Sequence, residues 1–160
     1  MKHIADESSS SRRQVVVGLA GLSLAALLAD PAKVAKAAAG LQTVSINTPS
    51  GRSVSGALAV PEVKPAGAVL MIHEWWGLND QIKSVASEVA KQGYLALAID
   101  LYNGKVAGKP EDAEAYMKSV VPAEARETMA AWVDWLKKHP DGNGKIASIG
   151  WCFGGGMALQ

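Results

Sequence analysis

At 160 residues the chain has room for one domain of ordinary size and hardly for a second. Sixteen Lys plus Arg against fifteen Asp plus Glu leave a formal net charge of +1, which excludes a strong field directed at nucleic acid or an anionic membrane. The apolar share of 49% is enough for a sizeable core, and the single cysteine, Cys152, excludes an intramolecular disulfide and a multi-cysteine zinc site.

In chain order, residues 1–39 read as an export signal and residues 40–160 as the folded domain. Arg12 and Arg13 stand directly before an apolar stretch, Val15 to Leu28, that no acidic residue interrupts. As a helix that stretch would rise about 21 Å, short of the roughly 30 Å hydrocarbon thickness, so a stable span is not expected. Gly18, Gly21 and Ser23 dilute its apolarity and Lys33 and Lys36 add positive charge further on, while Ala35-Lys36-Ala37 and Ala37-Ala38-Ala39 each supply a small-x-small cleavage site. These features resemble a twin-arginine signal, and the expected location is the periplasm. The apolar run shows no polar face, unlike an amphipathic helix, and no cysteine follows it to carry a lipid.

Beyond it, strand and helix patterns alternate. Val44 and Ile46 alternate with polar residues, Thr48 to Gly51 turn the chain, and Val54 to Val60 completes a hairpin. Ala68 to Ile72 is a continuous apolar run, the mark of a strand covered on both faces. From Asn79, an N-cap type, Ile82, Val85, Ala86, Val89 and Ala90 recur at helical spacing until Gly93. Tyr94 to Ile99 reads as a second buried strand, Glu111 to Ser119 as a short helix, and Ala123 to Lys138 as a longer one burying Met129, Trp132, Val133 and Leu136. Asp141 to Gly144 then turn the chain into a strand from Lys145 to Ile149. The alternation predicts an α/β fold with a mostly parallel sheet, flanking helices and reactive groups at the carboxyl ends of strands.

After the last strand comes Gly150-Trp151-Cys152-Phe153-Gly154-Gly155-Gly156, a G-x-nucleophile-x-G turn with cysteine as the nucleophile. A sharp strand-to-helix turn brings the backbone too close for a Cβ two residues before and two after the nucleophile, and Gly150 and Gly154 stand there. Such a turn would set Cys152 at a helix N-terminus and aim the Phe153 N–H at a developing oxyanion. A buried structural cysteine beside a Gly-rich turn is the competing reading. A dinucleotide loop starting at Gly154 would need glycine at position 159, which is leucine.

The loop after Ile72 reads His73-Glu74-Trp75-Trp76-Gly77-Leu78-Asn79. A second oxyanion N–H is expected near Trp75. Glu74 at a strand's carboxyl end is placed to accept a hydrogen bond from the Cys152 thiol and to oppose its ionisation. His73 reads as a polar pair with Glu74 that packs the loop. Trp75 and Trp76 wall an apolar pocket or belong to the core.

Together the elbow, the His73 to Leu78 segment and Asp100-Leu101-Tyr102 resemble the dienelactone hydrolase family, a branch of the α/β-hydrolases. The resemblance implies a Cys-His-Asp triad that cleaves small cyclic esters or lactones with neither a metal nor an organic cofactor. It further implies Cys152 as nucleophile, Glu74 as the acid that holds the resting thiol until substrate displaces it, and Phe153 and Trp75 as backbone oxyanion donors. Where family members commonly carry an arginine that clamps a substrate carboxylate, this sequence reads Asn103-Gly104-Lys105.

In this superfamily the triad acid and base follow the nucleophile, yet Phe153 to Gln160 contain neither Asp nor His. His3, His73 and His139 all precede it. The sequence therefore reads as the N-terminal half of such a hydrolase, leaving the nucleophile strand open on one side. Three readings stand: a hydrolase-family protein whose C-terminal half is supplied elsewhere, for instance as a separate chain, or was lost from a complete ancestral chain; a non-catalytic binding or assembly module using the open edge; and a weak thiol esterase relying on the oxyanion hole and Glu74.

Overall fold

The computed structural model describes residues 26–63 and 66–159. Five strands form one sheet: β1 (Gln42–Asn47), β2 (Ser53–Ala59), β3 (Ala66–Ile72), β4 (Leu95–Ile99) and β5 (Gly142–Gly150), in spatial order β1-β2-β4-β3-β5. β1 and β2 form the expected antiparallel hairpin, with Gly51 in the left-handed region (φ 84°) at its turn. β2 also runs antiparallel to β4, whereas β3 lies parallel to both β4 and β5. The sheet is thus mixed, with its parallel part where the sequence placed buried strands. Among the described residues β5 pairs with β3 alone and forms the sheet's edge.

Alternation along the two central strands builds two apolar layers. Leu70, Ile72, Leu95, Leu97 and Ile99 point to one face, where α4 (Pro122–Lys137) sets Trp132 and Leu136 against them with no exposure at all. Met71, Ala96 and Ala98 point to the other, and the small alanines let α2 (Asp80–Lys91) lie close through Ile82, Val85, Ala86 and Val89. Met129 and Val133, expected in the core, are only half-buried. They border a groove of about 280 Å³ that Ser148 and Met157 also line, beside the edge strand β5.

Local chemistry sets the helix ends. The Asn79 side chain accepts the Ile82 N–H at 3.0 Å to cap α2, and Gly93 (φ 89°) turns the chain out of it towards β4. Proline stands at the first position of both α3 (Pro110–Ser119) and α4, where its missing N–H costs nothing. Arg52, next to the hairpin turn, reaches Glu127 Oε2 at 2.9 Å and the Glu124 carbonyl at 2.8 Å, tying β2 to α4.

Residues of the proposed signal divide. Arg12, Arg13 and the apolar stretch up to Ala25 lie outside the described residues. Pro31–Ala39 form helix α1, whose N-cap Asp30 accepts the Ala32 and Lys33 N–H groups at 3.1 and 3.3 Å. This helix packs against α2, with Ala38 buried and Leu28 resting on the α2 layer of the core. Both small-x-small motifs therefore sit inside a docked helix.

Candidate active site

The carboxyl ends of the three parallel strands meet at one end of the sheet, since Ile72 pairs with Ile99 on one side and with Gly150 on the other. His73, Asp100 and the Trp151-Cys152 turn consequently emerge side by side.

At that end Cys152 holds φ 53° and ψ −116°, a conformation that costs a residue with a Cβ about 1–3 kcal/mol. Its neighbours hold it there. A Cβ on Gly150 would run into the Gly154 carbonyl, and one on Gly154 into the carbonyls of Ile72 and His73. The six-residue helix α5 (Phe153–Ala158) starts at once, with the Gly155 and Gly156 N–H groups donating to the Cys152 carbonyl at 3.1 and 3.3 Å. Cys152 itself is exposed. This is the steric pattern the sequence predicts for an elbow, and among the described residues the cysteine stands exposed rather than buried. Among the described residues neither the Phe153 N–H nor the Trp75 N–H has an acceptor, so both amides are open donors.

His73 is fully buried, and both its ring nitrogens are committed. Nδ1 lies 2.6 Å from the Glu74 carbonyl and Nε2 accepts the Leu101 N–H at 3.1 Å, which fixes the proton on Nδ1. Burial holds its pKa below the usual 6.5, against smaller opposing effects of the Glu74 carbonyl and Asp100. The ring is a neutral strut between the ends of β3 and β4. Its polar partner is thus the Glu74 main chain, not the carboxylate a His-Glu pair would suggest.

Asp100 organises the next loop. Its carboxylate accepts the Tyr102 N–H at 2.8 Å and the Gly104 N–H, holding Asn103 (φ 53°) and Gly104 (φ 83°) in left-handed turns. The Ala107 N–H then donates to the Trp76 carbonyl at 2.9 Å, and Gly77 (φ 92°) packs where a Cβ would strike the Lys105 carbonyl. The 73–79 and 100–107 loops are therefore laced together. Trp75 and Trp76 stand edge to face at 5.1 Å and are half-buried, walling this end without entering the core.

Tyr102 fills the space between these loops and the elbow. Its ring lies 4.6 Å from His73, 5.9 Å from Phe153 and 5.9 Å from Tyr116, and it is only 4% exposed. Burial, and beyond it the negative charge that Cys152 can carry, push its phenol up to about 12. Nearby, Lys105 Nζ sits 5.4 Å over the Tyr116 ring, beside a cavity of about 90 Å³ that Arg52, Asp100 and Tyr102 also line.

The family model for the dienelactone hydrolase family matches residues 54–160, two thirds of the chain. The chain belongs to the dienelactone hydrolase family. It is 34% identical over 117 residues to Protein usf of Aquifex pyrophilus, covering 69% of this chain and 50% of that protein. With the carboxymethylenebutenolidase of Pseudomonas putida it shares 26% identity over 125 residues, 72% of this chain and 53% of the relative. The solved structure of m3DLH superposes with a TM-score of 0.64 at 30% identity, covering 74% of this chain and 52% of that one. The chain thus spans about half the length of the curated relatives it matches.

Within this dienelactone hydrolase fold the sequence-predicted residues Cys152, Phe153, Glu74 and Trp75 all lie at the same end of the sheet. No hydrogen bond joins the Glu74 carboxylate to Cys152 Sγ among the described residues, and Glu74 is half-buried beside the Trp pair. His139 lies at the other end, before the first residue of β5, with Nδ1 accepting the Asp141 N–H at 3.2 Å and its ring 4.7 Å from Trp135. Among the described residues no three His, Cys, Asp or Glu gather as a metal site, and no helix is long and apolar enough to cross a membrane. Sequence reasoning missed the roles of Asp100 and Tyr102, although Asp100-Leu101-Tyr102 was singled out. An Asp three residues before Asn103-Gly104 is the available signal for the loop.

Proposed function

We propose that this chain carries the nucleophile and oxyanion hole of a hydrolase acting on small esters or lactones. The general base takes the Cys152 thiol proton as Sγ attacks the acyl carbon, the carbonyl oxygen becomes an oxyanion held by the Phe153 and Trp75 N–H groups, and collapse to the thioester breaks the C–O bond as the base returns the proton to the leaving alkoxide. Water then attacks the thioester to regenerate the thiol. Glu74 is the resting partner of the thiol, reaching it by side-chain rotation and withdrawing when substrate enters.

The observation that carries this reading is the strained backbone of Cys152, held between Gly150 and Gly154. The general base lies outside the described residues. His73 is neutral with both nitrogens engaged, and His139 is at the wrong end of the sheet. No described histidine therefore serves as the triad base. Without such a base deacylation stalls, so the described residues by themselves support at most one acylation event. The test is Cys152→Ala in a form that carries a triad His and Asp, assayed on a small activated ester. Loss of turnover is expected, and retained turnover refutes the assignment.

Among the described residues β5 is an edge strand, which favours a second reading, in which that edge and the groove beside Met129 and Val133 serve assembly and no chemistry occurs. A complete protein that binds a second chain through this edge but never forms an acyl-cysteine would support it. Export by the twin-arginine route to the periplasm belongs to the same proposal.

A further inference from the structure

The Tyr102 hydroxyl is shielded from solvent and has no hydrogen-bond partner among the described residues. Burying a hydroxyl without an acceptor is unfavourable, and folded proteins rarely leave one so. Nothing about the ring allows it to turn away. Asp100 pins its backbone on one side, and His73, Phe153 and Tyr116 surround the ring on the others. The ring is thus held beside Phe153, the residue after Cys152, while its hydroxyl has no acceptor, Cys152 Sγ included, among the described residues.

We propose that the Tyr102 hydroxyl donates a hydrogen bond to the Cys152 sulfur when that sulfur is ionised, so that the thiolate supplies the acceptor the resting structure lacks. The inference rests on Cys152 being the nucleophile. Two features support the pairing. Phe153, in contact with the Tyr102 ring, directly follows Cys152 in the chain. The charge of Cys152 is also felt at the phenol, which stays protonated up to about pH 12 and so remains a donor wherever the thiolate exists. A neutral donor bonded to the sulfur favours the thiolate, whereas Glu74 opposes it. The two residues bias the same proton in opposite directions, one before substrate enters and the other after.

The test uses the purified 160-residue chain, in which all alkylation reports on Cys152 because there is no other cysteine. Iodoacetamide labelling is followed by mass spectrometry from pH 6 to 10 in the native protein, Tyr102→Phe and Tyr116→Phe. Tyr102→Phe is expected to slow labelling at pH 7 about tenfold and to move the pH–rate profile up by about one unit, the effect of one charge-assisted hydrogen bond. Its melting temperature should not fall, since the hydroxyl removed had no partner. Tyr116→Phe alters the same aromatic cluster without touching the sulfur and should leave the profile in place. A superimposable profile for Tyr102→Phe, or an equal shift in Tyr116→Phe, overturns the proposal. If Tyr102→Phe does not fold, the native protein decides: blocking Cys152 with iodoacetamide should lower the pH at which the buried tyrosine ionises, and an unchanged absorbance titration refutes the pairing. These readouts involve no turnover, so they fail independently of the Cys152→Ala assay.

Discussion

Gly154→Ala is the sharpest test of why Cys152 adopts its backbone. The added methyl would overlap two carbonyl groups at once, those of Ile72, the last residue of β3, and His73, which follows it, and both residues are fully buried. Neither is the far end of a flexible side chain. β3 is paired on both sides, so relief requires α5 to lift away from the sheet. Overpacking a tight core costs roughly 1–3 kcal/mol, and a clash with two fixed backbone groups belongs at or above the top of that range. For a domain of this size, about 3 kcal/mol lowers the melting temperature by about 10 °C. Gly156, two residues on in the same helix, is the matched control, because a Cβ there meets nothing within 4 Å. Gly156→Ala should be neutral or stabilise by about 0.5–1 kcal/mol from helix propensity alone. Thermal melts by circular dichroism, with iodoacetamide labelling of Cys152 in parallel, read out both variants. If Gly154→Ala melts within 2 °C of Gly156→Ala, with an uncertainty of about that size, the steric account of the elbow is wrong.

Three other outcomes are expected. Because burial lowers the His73 pKa, the unfolded chain binds more protons than the folded one just below pH 6.5; stability is full above that pH and declines as pH falls towards 5. His73→Gln should flatten this decline in thermal melts between pH 5 and 7, and a decline of unchanged size would assign it elsewhere. Glu74→Gln should raise the alkylation rate of Cys152 at neutral pH severalfold, whereas an unchanged rate would show that the carboxylate never meets the sulfur. Replacing Arg12 and Arg13 by Lys should leave uncleaved precursor in the cytoplasm on immunoblots of cell fractions, and normal periplasmic yield would remove the twin-arginine assignment.

Periodicity made most elements legible. The helix from Asn79 to Gly93 appears with the side-chain cap and the glycine exit its sequence announces, because both ends depend on local chemistry alone. β5 was less visible. It runs from Gly142 to Gly150, further than the apolar stretch from Lys145 suggests, since pairing with β3 extends into polar residues at an exposed edge. Sheet order and the antiparallel pairing of β2 with β4 are long-range facts that no window of sequence contains. At the site, the elbow could be read because steric demand writes itself as glycines at fixed spacing. The strut made by His73 could not, because its partners are main-chain groups of Glu74 and Leu101, which leave no trace in residue identity. Tyr102 stayed hidden for a similar reason, its significance lying in an acceptor it lacks.

The seat of Gly154 on the ends of Ile72 and His73 joins parts of the chain separated by about eighty residues, across the same β3–β5 register that aligns Ile72 with Gly150. Contacts of such long sequence separation close late, after helices and hairpins that form from near neighbours. During folding, therefore, the hairpin, α2 and α4 can all exist while Cys152 still lies on relaxed backbone. The turn at Cys152 acquires its geometry only when β5 docks on β3. An otherwise well-formed intermediate would carry the cysteine without the elbow, and the rate at which its thiol reacts would serve as a clock for the final docking of β5.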